Sequence, residues 1–283
     1  MANKSPIHGE SVNRGKPDDV SRFFAGADLY GDDLDEAALK VWYEQEEHGY
    51  YNLTASYEKY EYNRHALNHF HAWRFLTGRT FRCCLALGCA RGDDVSPLAP
   101  IVREFVALET AEQWWKEEIC GTPAKYLKPQ VTGDIILDDC CVDLAVSLDV
   151  LHHIPNVSHV VAEIARVLCP GGLFVLNEPI SSMGDWRKPR TSGTANERGL
   201  PVPWLENLLQ RLSLRIVRRS FIMFRPLARI AGSVGFGDCY NNAAFVRLDA
   251  LASQVLRWNN HYHRDTIWKK IAPGSVFYVL EKM

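Results

Sequence analysis

The chain has 283 residues, 47% of them hydrophobic, with a formal net charge of -2 and a pI near 6.6. That supports one large domain, or a domain with a lid, and excludes a globally basic binder of nucleic acid or anionic membrane. No apolar run spans a bilayer, and residues 1–19 lack the apolar core of a signal peptide, so a cytoplasmic protein is expected.

Residues 1–32 show no periodicity and read as a flexible arm, followed by a helical segment over 33–80. Its first helix, 34–47, places Leu34, Ala38, Val41 and Trp42 on one side and ends at Gly49. A longer helix over 54–76 carries an aromatic stripe that includes Tyr57, Tyr60 and Phe75. From residue 81 an α/β core begins. The pattern predicts a strand at 83–88, a helix interrupted by Pro97 and Pro100 at 94–101, a strand at 104–109 and a helix at 111–119. A weak strand falls within 126–132. The nearly all-apolar 142–148 reads as a central parallel strand. A helix at 158–168, a strand at 173–176, a helix at 201–212 and strands at 214–222 and 275–280 complete the order. Strands alternating with helices imply a parallel, doubly wound sheet. Residues 224–272, too many for a turn, read as an insertion capping the acceptor side.

The eight cysteines form no CxxC pair, so structural zinc is not expected and buried reduced thiols are. Gly88-Cys89-Ala90-Arg91-Gly92-Asp93 follows the first strand, where small residues let backbone approach a ligand closely. Glu109 closes the second strand about twenty residues on, placed to accept from two ribose hydroxyls. A nicotinamide-dinucleotide fingerprint is not met, because Ala90 and Asp93 occupy its later glycine positions.

The succession continues with Gly133-Asp134-Ile135, Asp143-Leu144-Ala145-Val146-Ser147, Leu151-His152-His153-Ile154 and Leu168-Cys169-Pro170-Gly171-Gly172-Leu173. In this order the motifs resemble those of the class I S-adenosylmethionine (SAM) methyltransferases of type 11. The resemblance covers about residues 85–179. It implies a Rossmann-like, mostly parallel seven-stranded sheet over 81–283 and SAM as cofactor, with S-adenosylhomocysteine as product. It also implies that Gly88, Cys89, Ala90 and Gly92 surround the amino-acid part of SAM. Glu109 with Thr110 would hold ribose, Asp134 and Ile135 adenine, and Ser147, Leu148 and Asp149 the methionine end. Two departures are Ala86, where the family often has an acid, and Ala90 at the middle loop glycine.

His152, His153 and Glu178 lie at strand ends facing the acceptor, and a histidine takes a hydroxyl proton near neutral pH. Asp149, His152 and His153 also resemble an acid-x-x-acid-His metal motif of some O-methyltransferases. His152 stands there in place of an acid, which disfavours hard magnesium, and no metal is expected. The polar, basic stretch 181–200, with Arg187, Lys188, Arg190 and Arg198, reads as a substrate loop. The expected activity is O-methylation of a small-molecule or glycan hydroxyl. N- or C-methylation, or a non-catalytic binding protein on this fold, are the alternatives. No extended basic and aromatic stripe suggests a nucleic-acid acceptor, and the sequence leaves the oligomeric state open.

Overall fold

The computed structural model describes residues 20–54, 62–186 and 193–283. Tyr57, Tyr60, Arg187, Lys188 and Arg190 lie outside them, as does most of the expected arm. Its last part, from Val20, is packed: Phe23 of α1 (Ser21–Phe24) and Leu29 are buried.

Helix α2 (Glu36–Thr54) starts where the Asp35 carboxylate accepts from Ala38 N–H at 2.8 Å. It runs through Gly49 rather than stopping there. Its buried face is Leu39, Trp42 and Glu46, one face at helical spacing, while Val41 is exposed. The expected long helix continues as α3 (His65–His71) and a 3-10 turn, Trp73–Phe75.

The sheet has eight strands, one more than expected: β1 (Phe81–Leu87), β2 (Val102–Leu108), β3 (Glu118–Ile119), β4 (Thr122–Leu127), β5 (Val142–Leu148), β6 (Leu168–Pro179), β7 (Leu214–Phe224) and β8 (Pro273–Lys282). Their order is β3-β4-β2-β1-β5-β6-β8-β7. β4, β2, β1, β5 and β6 run parallel, and β8 is antiparallel to both β6 and β7. Of the expected helix at 111–119 only a 3-10 turn, Glu112–Trp114, forms, and its last two residues are the extra strand. Cys120 and Gly121 have φ of 49° and 79°, the two left-handed residues that close a tight hairpin between β3 and β4. Residues 94–101 likewise form only a 3-10 turn, Ser96–Ile101, where Pro100 removes a helical donor.

Each face of the sheet carries a core. On one, α4 (Val157–Val167) and α5 (Val202–Arg211) bury Val161, Ile164, Leu205 and Leu209 against Leu85, Phe174 and Leu176. On the other, Leu67, Trp73 and Leu76 meet Cys84, Val146, Val175 and Phe277. The 224–272 segment holds α6 (Arg225–Ser233) and α7 (Ala243–Val255). Its Val246 joins the second core, and the buried Asp249 carboxylate accepts from Met223 and Phe224 N–H at 2.8 Å each, tying α7 to the end of β7.

Candidate active site

The carboxyl ends of the parallel strands bring the loops after β1, β2, β5 and β6 together, the place where open α/β sheets bind ligands. A cavity of about 250 Å³ opens there, its wall including Gly88, Glu109, Thr110, Asp134, Ile135 and Asp149 of the expected cofactor residues. Cys89, Ala90, Gly92, Ser147 and Leu148 are not among the residues that line it.

The first loop is tightly folded. Gly88 has φ 56°, and a Cβ there would lie 2.7 Å from Val150 Cγ2. Ala90 is itself left-handed at φ 47°, so the missing glycine is tolerated by strain rather than by a different loop. Ala90 N–H donates to Glu109 Oε2 at 2.8 Å, and Tyr126 O–H donates to the Ala90 carbonyl at 3.0 Å. Glu109 also accepts from Ala111 N–H at 2.9 Å. It is 2% exposed, and burial pushes its carboxyl up despite these hydrogen bonds. Cys89 is buried, and burial drives its thiol far above the ordinary range, which removes it as a nucleophile.

Asp134 is half-exposed and accepts from Thr132 Oγ1 at 2.7 Å, which holds it below the usual carboxylate range; His159 Nε2 lies at 2.8 Å. Ile135 is held by its N–H on Glu163 Oε2 at 3.0 Å. Arg166 in turn binds Glu163, Asp139 and the carbonyls of Ile135 and Leu137, bracing this whole segment. Asp149, at φ 58°, pairs with Arg64 and accepts from Asn177 Nδ2 at 3.2 Å.

The three expected catalytic residues separate. Glu178 is fully buried and turned inward, accepting from Val150, Leu151 and His152 N–H at 2.9, 2.7 and 3.2 Å. Its Oε2 lies 2.9 Å from His152 Nδ1. Burial drives His152 down and Glu178 up, so the imidazole is neutral. With three backbone donors already on that carboxylate, Nδ1 is the donor and Nε2 the lone pair. His153 does reach the cavity wall. Its Nδ1 lies 2.9 Å from Glu46 Oε2, 3.1 Å from Thr194 Oγ1 and 3.9 Å from Glu197 Oε1.

Glu46 and Glu197 are the residues that sequence reasoning missed. Burial works to raise Glu46, but hydrogen bonds from His153, Thr194 and Asn196 N–H outweigh it and hold the carboxyl low. One signal was readable: Glu46 falls four residues after Trp42, on the face whose tryptophan Nε1–H donates to the His153 carbonyl at 2.8 Å. Arg198, expected to meet substrate, is fully buried instead. Its guanidinium donates to the carbonyls of Tyr30, His152, Ile154 and Pro155 at 2.7–3.0 Å. It fixes the loop that carries both histidines.

Comparison with known proteins agrees with this geometry. Residues 85–176 match the family model of the methyltransferase domain. A protein of Mycolicibacterium smegmatis named "Probable S-adenosylmethionine-dependent methyltransferase" is 26% identical over 122 residues, 43% of this chain and 46% of that protein. An uncharacterized 37.1 kDa protein in transposon TN4556 of Streptomyces fradiae is 29% identical over 167 residues, 57% of this chain and 45% of that one. The chain thus matches just under half the length of these curated relatives. Among solved structures, the Burkholderia thailandensis 1,6-didemethyltoxoflavin-N1-methyltransferase, bound to 1,6-didemethyltoxoflavin and S-adenosylhomocysteine, shares the fold. Its TM-score is 0.51 at 15% identity, over 88% of this chain and 91% of that one. Residues 85–176 thus match the methyltransferase domain model, and the chain shares the Rossmann-like fold of a solved methyltransferase.

Proposed function

We propose that this protein transfers a methyl group from SAM to a hydroxyl of a small molecule, a sugar or a glycan. The observation that carries the reading is one cavity whose wall holds two unlike groups of residues. Gly88, Glu109, Asp134 and Ile135 line one part, and His153 with Glu46 another.

The first set fits the cofactor. Glu109 is an acceptor-only carboxylate in the wall, suited to two ribose hydroxyls. Leu108, Ile135 and Val160 offer apolar surface to an adenine ring, beside the Asp134 acceptor. SAM supplies an activated methyl on a sulfonium leaving group. The protein's share is to align the acceptor, exclude water and take up the hydroxyl proton. The histidine and carboxylate cluster favours a hydroxyl over an amine acceptor, since a neutral amine loses no proton before attack.

Calorimetry of SAM and S-adenosylhomocysteine, with Glu109→Ala as control, tests the cofactor half. Saturable binding that the variant loses supports it, and an acceptor screen of sugars and hydroxylated metabolites follows. A folded wild type that binds neither ligand refutes it.

A further inference from the structure

We propose that His152, His153 and Glu197, with Glu46 beside them, form a binding site for one divalent first-row transition ion at the acceptor end of the cavity. One donor atom from each of His152, His153 and Glu197 lies within 4.8 Å of the others. They come from two separate segments, and Glu46 comes from a third, α2. A four-coordinate ion with bonds of about 2.1 Å sets its ligands about 3.4 Å apart, so side-chain movement of at most about 1.4 Å would bring the donors to it.

Two further observations point to a cation. His153 Nδ1 faces three oxygens, those of Glu46, Thr194 and Glu197, at 2.9, 3.1 and 3.9 Å. Two of the three oxygens belong to carboxylates, which come from different segments of the chain. The second observation lies behind His152. Glu178 holds its Nδ1, leaving Nε2 as the nitrogen able to ligate. A carboxylate behind a histidine is the usual support of a metal-bound imidazole.

The donor set selects the ion. Two imidazoles with carboxylates suit manganese, iron, cobalt, nickel or zinc over magnesium or calcium. Asp149, which the motif spacing suggested, is committed to Arg64 and Asn177 and is not one of the clustered donors. His153 and Glu46 line the cavity, so an ion held beside them would be reached from it. Resting on the methyltransferase reading, this names the substrate class: an acceptor whose hydroxyl has a neighbouring oxygen, held through both. The ion lowers the hydroxyl's pKa and its proton leaves to water. The O–CH3 bond then forms as the C–S bond of the sulfonium breaks, releasing S-adenosylhomocysteine.

The test is Mn²⁺ binding to the full, untagged, chelator-stripped chain, followed by loss of the free-ion paramagnetic resonance signal. Manganese avoids the thiols, which would bind softer ions. One Mn²⁺ per chain is expected, with affinity at least tenfold lower in both Glu197→Gln and His153→Asn. Circular dichroism confirms that each variant is folded. No saturable binding at millimolar Mn²⁺, or binding unchanged in both folded variants, overturns the proposal. S-adenosylhomocysteine calorimetry on the same samples separates the two readings. Cofactor binding without Mn²⁺ binding sinks the metal site alone, and the reverse sinks the cofactor site alone.

Discussion

His71 makes this fold acid-sensitive in a way that can be measured. Its ring is 2% exposed, stacked on Phe277 at 6.0 Å between centroids, and neither nitrogen meets a partner among the described residues. Burial, reinforced by Arg218 and Arg74, pushes it down to about 3, against about 6.5 in an unfolded chain. Between these values the unfolded chain binds one proton more than the folded one. The contribution is therefore fully present above pH 6.5 and is lost as pH falls towards 3. The slope is about 1.4 kcal/mol per pH unit, so the fold loses about 2 kcal/mol through this residue between pH 6.5 and 5.0. His71→Leu removes the titrating group and two desolvated nitrogens, so the variant is expected to be at least as stable at pH 7.5. Urea unfolding of both proteins at pH 7.5 and 5.0 reads the difference. Other buried groups, such as Asp94 pushed up to about 7 by burial, titrate in both proteins and cancel. The wild type should lose about 2 kcal/mol more than the variant. Equal losses would mean that the ring is solvated or that it protonates in place, and the argument would fail.

Three substitutions probe the site. Gly88→Ala must hold φ 56° and displace Val150 from 2.7 Å, so S-adenosylhomocysteine affinity is expected to fall at least tenfold; calorimetry with undiminished affinity would contradict the close-approach role. Arg166→Met unties Glu163 and the Ile135 and Leu137 carbonyls, so faster hydrogen exchange of the Ile135 amide and severalfold weaker cofactor binding are expected. Protection equal to wild type would show that the brace is dispensable. Arg198→Met orphans four carbonyls and is expected to cost about 3–5 kcal/mol in chemical denaturation; Arg198→Lys should recover little, since an ammonium lacks the planar fork. Full recovery by lysine would mean that charge, not geometry, holds the loop.

The part of the cavity wall that holds Gly88, Glu109, Asp134 and Ile135 was legible because it is local. Gly88, Glu109, Asp134 and Ile135 each end a strand or open a turn, so the order of strands places them at one edge once the sheet is parallel. The apolar run 142–148 and the helical spacing of Val160, Val161 and Ile164 likewise needed only their own periodicity. The eighth strand was hidden in two left-handed residues, Cys120 and Gly121, that read equally as the end of a helix. The part of the wall around His153 was not legible. Nothing near His153 in sequence announces Glu46, 107 residues away, or the inward turn of Glu178. The basic character of Arg198 pointed to solvent, whereas the fold closes four backbone carbonyls around it. Short-range patterns fix which residues end strands; which distant carboxylates share a pocket is decided only when α2 and the 193–198 segment pack against the loop after β5.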